Sequence, residues 1–158
     1  MGGEDEDVAR CREAAPANAH FHGYVVPAML RQHYDKADVC VAPYQATVSV
    51  AGGTGDNARW MSPLKLFEYM SQARPIVASD IPVIREVLTP GEDALLCDPN
   101  DFAAWQAALV RLRDNSLLRT KLALASLENA TNRFSWSDRA TRILKLANER
   151  MAKAGGAR

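Results

Sequence analysis

Trp60-Met61-Ser62-Pro63-Leu64-Lys65-Leu66-Phe67-Glu68-Tyr69-Met70-Ser71-Gln72-Ala73-Arg74-Pro75-Ile76-Val77-Ala78-Ser79-Asp80 is the stretch whose reading decides this fold. Ser62 is a favourable N-cap. Pro63 suits a first helical turn, where the N–H it lacks would have no partner, so a helix is expected to open here. At about 100° per residue, Leu66, Phe67, Met70 and Ala73 share one side, while Lys65, Glu68 and Gln72 share the other. One face is expected to pack and the other to look into a cleft. Pro75 stops the helix, and Ile76-Val77-Ala78 reads as a short strand buried on both sides, ending at the polar pair Ser79-Asp80.

A helix start presents unpaired N–H groups and a partial positive charge, which suits an anion such as a diphosphate placed before Ser62. The residues alone also allow a plainer reading. In it Ser62 is an ordinary cap, and Lys65 and Glu68, three apart, form an exposed helical ion pair.

Upstream, Ala37-Asp38-Val39-Cys40-Val41-Ala42-Pro43 is an apolar run between polar residues, the pattern of a parallel strand covered on both faces. From 44 to 61 runs an irregular segment containing Gly52-Gly53-Thr54-Gly55-Asp56-Asn57. It is longer than a plain connection, and loops at the carboxyl ends of parallel strands form ligand crevices. No Gly-Lys-Ser/Thr follows the glycines, so this is not a P-loop. Arg59 reads either as a cation for a phosphate or as a solvated loop arginine. His20-Phe21-His22-Gly23-Tyr24-Val25-Val26 reads as a short strand, with Pro27 opening a helix through about 34. His20 and His22 share one face of that extended segment without a third ligand, so no metal site is expected. Gly2-Gly3 reads as a turn feeding an acidic first helical turn, Glu4-Asp5-Glu6-Asp7, with the helix running to about 15 before Pro16.

Downstream, Asp80-Ile81-Pro82 reads as a turn and 83–88 as a short helix bearing Glu86, followed by the turn Thr89-Pro90-Gly91. Ala94-Leu95-Leu96-Cys97 is another short apolar strand. Asp98-Pro99-Asn100-Asp101 is placed to cap a helix over 102–113 with the stripe Phe102, Trp105, Leu109 and Leu112. A partner helix over 117–129 carries Leu118, Leu122 and Ala125, and a last helix covers 137–152. Trp136 reads either as a ligand-stacking residue or as a packing residue.

The chain is one domain's worth: 1–152 is expected as the folded domain and 153–158 as a fraying tail. Apolar residues at 47% and charged residues at 24% mark a globular rather than a disordered chain. Lys and Arg number 19 against 19 Asp and Glu, so the whole-chain charge gives no sign of the basic surface that nucleic-acid binding needs, and nucleic acid is not an expected partner. Cys11, Cys40 and Cys97 are odd in number and scattered, which fits reduced thiols, and no apolar run is long enough to cross a bilayer. A cytoplasmic location is expected. Strands near 20, 40, 77 and 95 alternating with helices define an α/β fold with a mainly parallel sheet.

The run Ser62-Pro63-Leu64-Lys65-Leu66-Phe67-Glu68-Tyr69-Met70, then Arg74-Pro75-Ile76-Val77-Ala78-Ser79-Asp80-Ile81-Pro82, then Arg85-Glu86-Val87, resembles the C-terminal nucleotide-sugar domain of group 1 (family 4) glycosyltransferases of the GT-B fold. The resemblance covers nearly all of the chain. It implies a Rossmann-like sheet and a transfer from a nucleoside diphosphate sugar to an acceptor, normally with retention of anomeric configuration and without a structural metal or cofactor. It also implies roles. Glu68 holds the ribose hydroxyls, the backbone amides of Ser62, Leu64 and Lys65 hold the diphosphate, and the segment Gly23, Tyr24 and Val25 meets the base. For Tyr24 the residue itself leaves two readings open, stacking on the base or sitting as a core or rim aromatic. Glu86 matches a family glutamate, with a surface or capping role equally open, and no catalytic residue is assigned.

Two positions depart from the family pattern. Trp60 stands where relatives carry a glutamate that contacts the transferred sugar, and Ala73 stands where they carry the glycine that ends the helix in a left-handed conformation. The resemblance further implies that the chain starts mid-unit, lacking a strand, a helix, a second strand and the acceptor-binding N-terminal domain. The expected partners are then the sugar donor and the missing half, which would carry any peripheral membrane contact. Because the missing strands would lie between those at Phe21 and Val39, a gap or exposed apolar edges are expected, relieved by re-pairing, dimerisation or a separately encoded half. The alternative is a noncatalytic nucleotide-binding or partner subunit.

Overall fold

The computed structural model describes residues 5–47 and 62–155. The Gly2-Gly3 turn, the glycine cluster at 52–57, Arg59 and Trp60 lie outside the described residues. The chain divides into two compact units, 1–36 and 37–158.

The first unit holds α1 (Asp5–Ala14) and α2 (Pro27–Asp35). The strand expected at 20–26 is not formed. Two local features explain this. Gly23 turns the backbone to φ 65°, breaking the extended run, and His22 packs its ring against His33 of α2 with centroids 4.7 Å apart. Alternation alone cannot supply the ladder partner that a strand requires. Pro27 does open α2, with Val26 extended before it.

In the second unit the order is β1 (Cys40–Ala42), α3 (Leu64–Ser71), β2 (Ile76–Ser79), α4 (Pro82–Arg85), β3 (Leu95–Cys97), α5 (Phe102–Asp114), α6 (Ser116–Arg133) and α7 (Trp136–Gly155). The strands form one parallel sheet in the order β1-β2-β3, with Cys40 opposite Ile76 and Val77 opposite Leu95. All four residues of β2 are buried, as a central parallel strand demands. Its side chains alternate between two cores. Ile76 and Ala78 join Leu66, Met70, Ile84 and Leu88, whereas Val77 joins Leu95, Ala108, Leu112 and Leu122. β1 is an edge strand among the described residues. Cys40 and Ala42 point inward and Val41 is exposed, so the expected two-sided cover is only half present.

The stripe expected on α5 holds at Leu112 and, half-buried, at Trp105, and is corrected at Phe102 and Leu109. Phe102 is 83% exposed and Leu109 is also exposed, while Ala108 and Leu112 are the buried positions. A helix lying close on a sheet presents small residues at its contact line, and weighting the large apolar residues rotated the expected face. Asp101 does cap this helix, accepting from the Ala104 amide at 3.0 Å. α7 runs to Gly155, three residues into the segment expected as tail.

α3 ends on Ala73 at φ 50°, so the left-handed turn for which the resemblance implies a glycine is made here by alanine. A left-handed L-residue costs about 1–2 kcal/mol, and glycine gives back part of that relief through its looser unfolded chain. Ala73→Gly is therefore expected to raise stability by about 0.5–1 kcal/mol in urea unfolding. A loss of stability would contradict it.

Candidate functional site

Parallel strands β1, β2 and β3 release the chain at Pro43, Asp80 and Asp98, and α3, which lies between β1 and the parallel β2 in the chain, starts toward that carboxyl edge. The edge is tied together by hydrogen bonds. The buried Ser79 hydroxyl donates to the Tyr44 carbonyl at 2.5 Å, and the Asp80 amide donates to the Cys97 carbonyl at 2.7 Å. Asp80 also takes the Arg85 guanidinium in a two-pronged pair, whose second contact is Nη2 to Oδ2 at 2.7 Å. The hydrogen bond from Arg85 holds the Asp80 carboxyl below its ordinary range. The sequence carries a weak signal for this pair, a carboxylate before Pro82 and an arginine one turn on.

At the start of α3 the structure corrects the expected cap. Pro63 occupies the N-cap at φ −79° and ψ 65°, and no side chain caps the helix. The Leu64 amide turns back to the Ser62 carbonyl and the Leu66 amide to the Pro63 carbonyl, both at 2.9 Å. These turn bonds engage Leu64, one of the three amides expected to face an anion. The proline ring fixes φ and so draws the first turn tight, which the choice of Ser62 as cap did not anticipate.

Ser62, Leu64 and Phe67 form one wall of a groove of about 420 Å³. The facing wall comes from Arg133 and Phe134 at the end of α6 and from Trp136, Arg139, Arg142 and Ile143 of α7. Phe67 and Phe134 close its floor with ring centroids 5.1 Å apart. Three arginines and no carboxylate line the groove, so its field adds to that of the helix start. Arg142 is engaged by Asp138 at 2.5 Å. Arg139 lies over the Trp136 ring at 5.7 Å. The spacing of Asp138 and Arg142, four apart, was a legible sign of the first contact. The approach of α7 to α3 had no sequence signal.

Lys65 and Glu68 stand outside that lining, exposed on another face of α3. Glu68 lies toward Tyr44 and Tyr69. Burial is the larger cause that raises the Tyr69 phenol, to about 12, with Cys40, Tyr44 and Glu68 adding to it. Tyr44 is raised in the same sense, first by burial and then by the Glu68 charge. Cys40 is a packed thiol, pushed up to about 11 by burial and drawn back by Arg74. In the first unit, Gly23 has positive φ, Val25 is half-buried and Tyr24 is 76% exposed, which removes the core reading of that ring. Among the described residues no cluster of three His, Cys, Asp or Glu side chains could hold a metal ion.

A parallel α/β sheet flanked by helices, with a helix start opening at the carboxyl ends of its strands, is an architecture shared with the GT-B class. The chain belongs to the family described as group 1 glycosyl transferases, which matches residues 1–115. It is 40% identical over 81 residues to a phosphatidyl-myo-inositol mannosyltransferase of Mycobacterium leprae, covering 51% of this chain and 21% of that protein. It is 34% identical over 77 residues to a D-inositol 3-phosphate glycosyltransferase of a Nocardioides species, covering 49% and 17%. The chain thus spans about a fifth of the curated relatives it matches. In fold it is similar to sucrose-phosphate synthase from Thermosynechococcus elongatus, with a TM-score of 0.70 at 21% identity over 94% of this chain and 34% of that one.

Proposed function

We propose that this chain supplies the donor side of a sugar transfer, binding a nucleoside diphosphate sugar whose diphosphate rests at the start of α3 and whose ribose is gripped by Glu68. The observation that carries the reading is the helix start at the carboxyl edge of the sheet, beside a groove lined by three arginines, one of them paired with Asp138. The Lys65 amide and the Glu68 carboxylate are three residues apart, roughly 4.5 Å along the helix, which suits the step from a phosphate to its pentose. Gly23, Tyr24 and Val25 are assigned to the base, with the exposed Tyr24 ring free to stack on it. Developing charge on the leaving diphosphate would be met by fixed dipoles and cations rather than by a metal. The acceptor is held by a domain or partner outside these 158 residues, and transfer proceeds with retention. The free thiols Cys11, Cys40 and Cys97 support a cytoplasmic setting, and no described helix is long and apolar enough to cross a membrane.

Calorimetric titration with UDP-, GDP- and ADP-sugars tests the assignment. One donor class is expected to bind, and Glu68→Ala to weaken it tenfold or more, the loss of a charge-assisted hydrogen bond. Absence of binding by all three, or an unchanged affinity in the variant, would remove Glu68 from the site.

A further inference from the structure

We propose that Asp93 is a positioning residue for the groove: through Asn129 it fixes the last turns of α6, and with them the Arg133 and Phe134 wall that faces the start of α3. The role presupposes that the donor's diphosphate rests beside this groove. The two carboxylate oxygens of Asp93 do different things. Oδ1 accepts from the Thr89 amide at 2.7 Å and so closes the turn before β3, a task that needs no second oxygen. Oδ2 reaches across 36 residues of sequence to the Asn129 side-chain amide at 2.5 Å. Asp93 is wholly buried, and a buried carboxylate is costly unless its bonds are made, so this tie to α6 is strongly enforced. Ser126, three residues before Asn129 on the same helix face, is also wholly buried, which closes that face to solvent. A close-packed contact of this kind transmits a displacement rather than absorbing it.

One turn beyond Asn129, about 6 Å along the helix, stand Arg133 and then Phe134. Arg133 lies within electrostatic reach of Asp93. Burial chiefly raises that carboxyl, and the Arg133 charge is among the effects that lower it. The Arg133 guanidinium covers the Phe134 ring at 5.3 Å, and Phe134 meets Phe67 of α3 at 5.1 Å. The Arg133 carbonyl accepts from Arg142 Nη2 at 2.5 Å, which ties the start of α7 to the same frame. A buried carboxylate outside the groove thus governs where two of its arginines and one of its floor rings stand. Cations stabilise a developing charge best when they are already in place, so bracing the wall bears on the donor directly.

The test is calorimetry on the 158-residue chain with inorganic pyrophosphate and with UDP-, GDP- and ADP-glucose, at a temperature where circular dichroism shows every variant folded. Asp93→Ala is expected to weaken the tightest-binding probe about tenfold, and the milder Asn129→Ala about threefold. Asp93→Asn is expected to stay within about twofold of wild type, because the Asn129 amide can turn to accept while the Thr89 bond is kept. In NMR spectra the cross-peaks between the Phe67 and Phe134 rings are expected to vanish in Asp93→Ala and persist in Asp93→Asn, while those among Val77, Leu95 and Leu112 survive in both. General destabilisation would not single out one contact. Wild-type binding that Asp93→Ala leaves unchanged, or equal losses in Asp93→Ala and Asp93→Asn, would overturn the positioning role. If no probe binds the wild type, the donor reading fails instead, and Phe67–Phe134 cross-peaks retained in Asp93→Ala would then remove the brace as well.

Discussion

Asp93→Ala is expected to lower stability by about 3 kcal/mol, although Asp93 itself does not line the candidate groove. The side chain is fully buried between the turn before β3 and α6. Its carboxylate accepts from the Thr89 amide at 2.7 Å and from the Asn129 side-chain amide at 2.5 Å. Removing it strands two part-buried donors, each costing about 1–3 kcal/mol. Asn129→Ala removes one donor and leaves the other bond intact, so about 1–2 kcal/mol is expected, and the double variant should cost less than the sum. Urea unfolding of the three proteins measures the cycle. A loss below about 0.5 kcal/mol for Asp93→Ala, the level of an ordinary surface substitution, would show the network to be weak.

The same residue has a pH signature. Burial, the largest cause, raises the Asp93 carboxyl above its ordinary 3.8 against the lowering effect of Thr89, Asn129 and Arg133. The folded state therefore binds the proton more tightly than the unfolded chain. Its stabilising share is complete below 3.8 and is lost as pH rises through the raised folded value. The cost of Asp93→Ala is accordingly expected to be larger on the acid side of that window than at neutral pH.

What the sequence disclosed follows from range. Pro75 and the run from Ile76 marked β2, and the apolar spacing from Leu66 to Met70 marked the packed face of α3, because both signals are local. Asp101 revealed itself as a cap for the same reason. Asp93 and Asn129 lie 36 residues apart, and no periodicity announces a partner at that distance. The His20-to-Val26 segment alternates like a strand, yet pairing depends on a neighbour, and Gly23 bends it instead. For the site, the sequence located the α3 start but not how Pro63 closes its first turn. The cationic wall opposite depends on where α7 comes to rest, which its own residues do not specify. Ala73 was legible as a departure, and the structure adds that the backbone kept its left-handed shape in spite of the side chain.

Leu66→Ala is expected to cost about 3–4 kcal/mol, because the side chain is wholly buried with Met70, Ile76 and Ile84 between α3 and the sheet. Lost transfer energy accounts for about 2 kcal/mol, and the void left against a rigid strand accounts for the rest. Leu117→Ala on α6, 82% exposed, provides the contrast and should cost no more than about 0.5 kcal/mol. Glu68→Ala, two residues from Leu66 on the exposed face, should also leave stability nearly unchanged. α3 thus has two separable faces. One holds the helix on the sheet and is read by urea, and the other is the face proposed to meet the donor and is read by calorimetry. Were Leu66→Ala to leave stability intact while abolishing donor binding, or Glu68→Ala to unfold the chain, this division of the helix would be wrong, and the anion site at its start would lose the rigid support on which preorganised charge stabilisation depends.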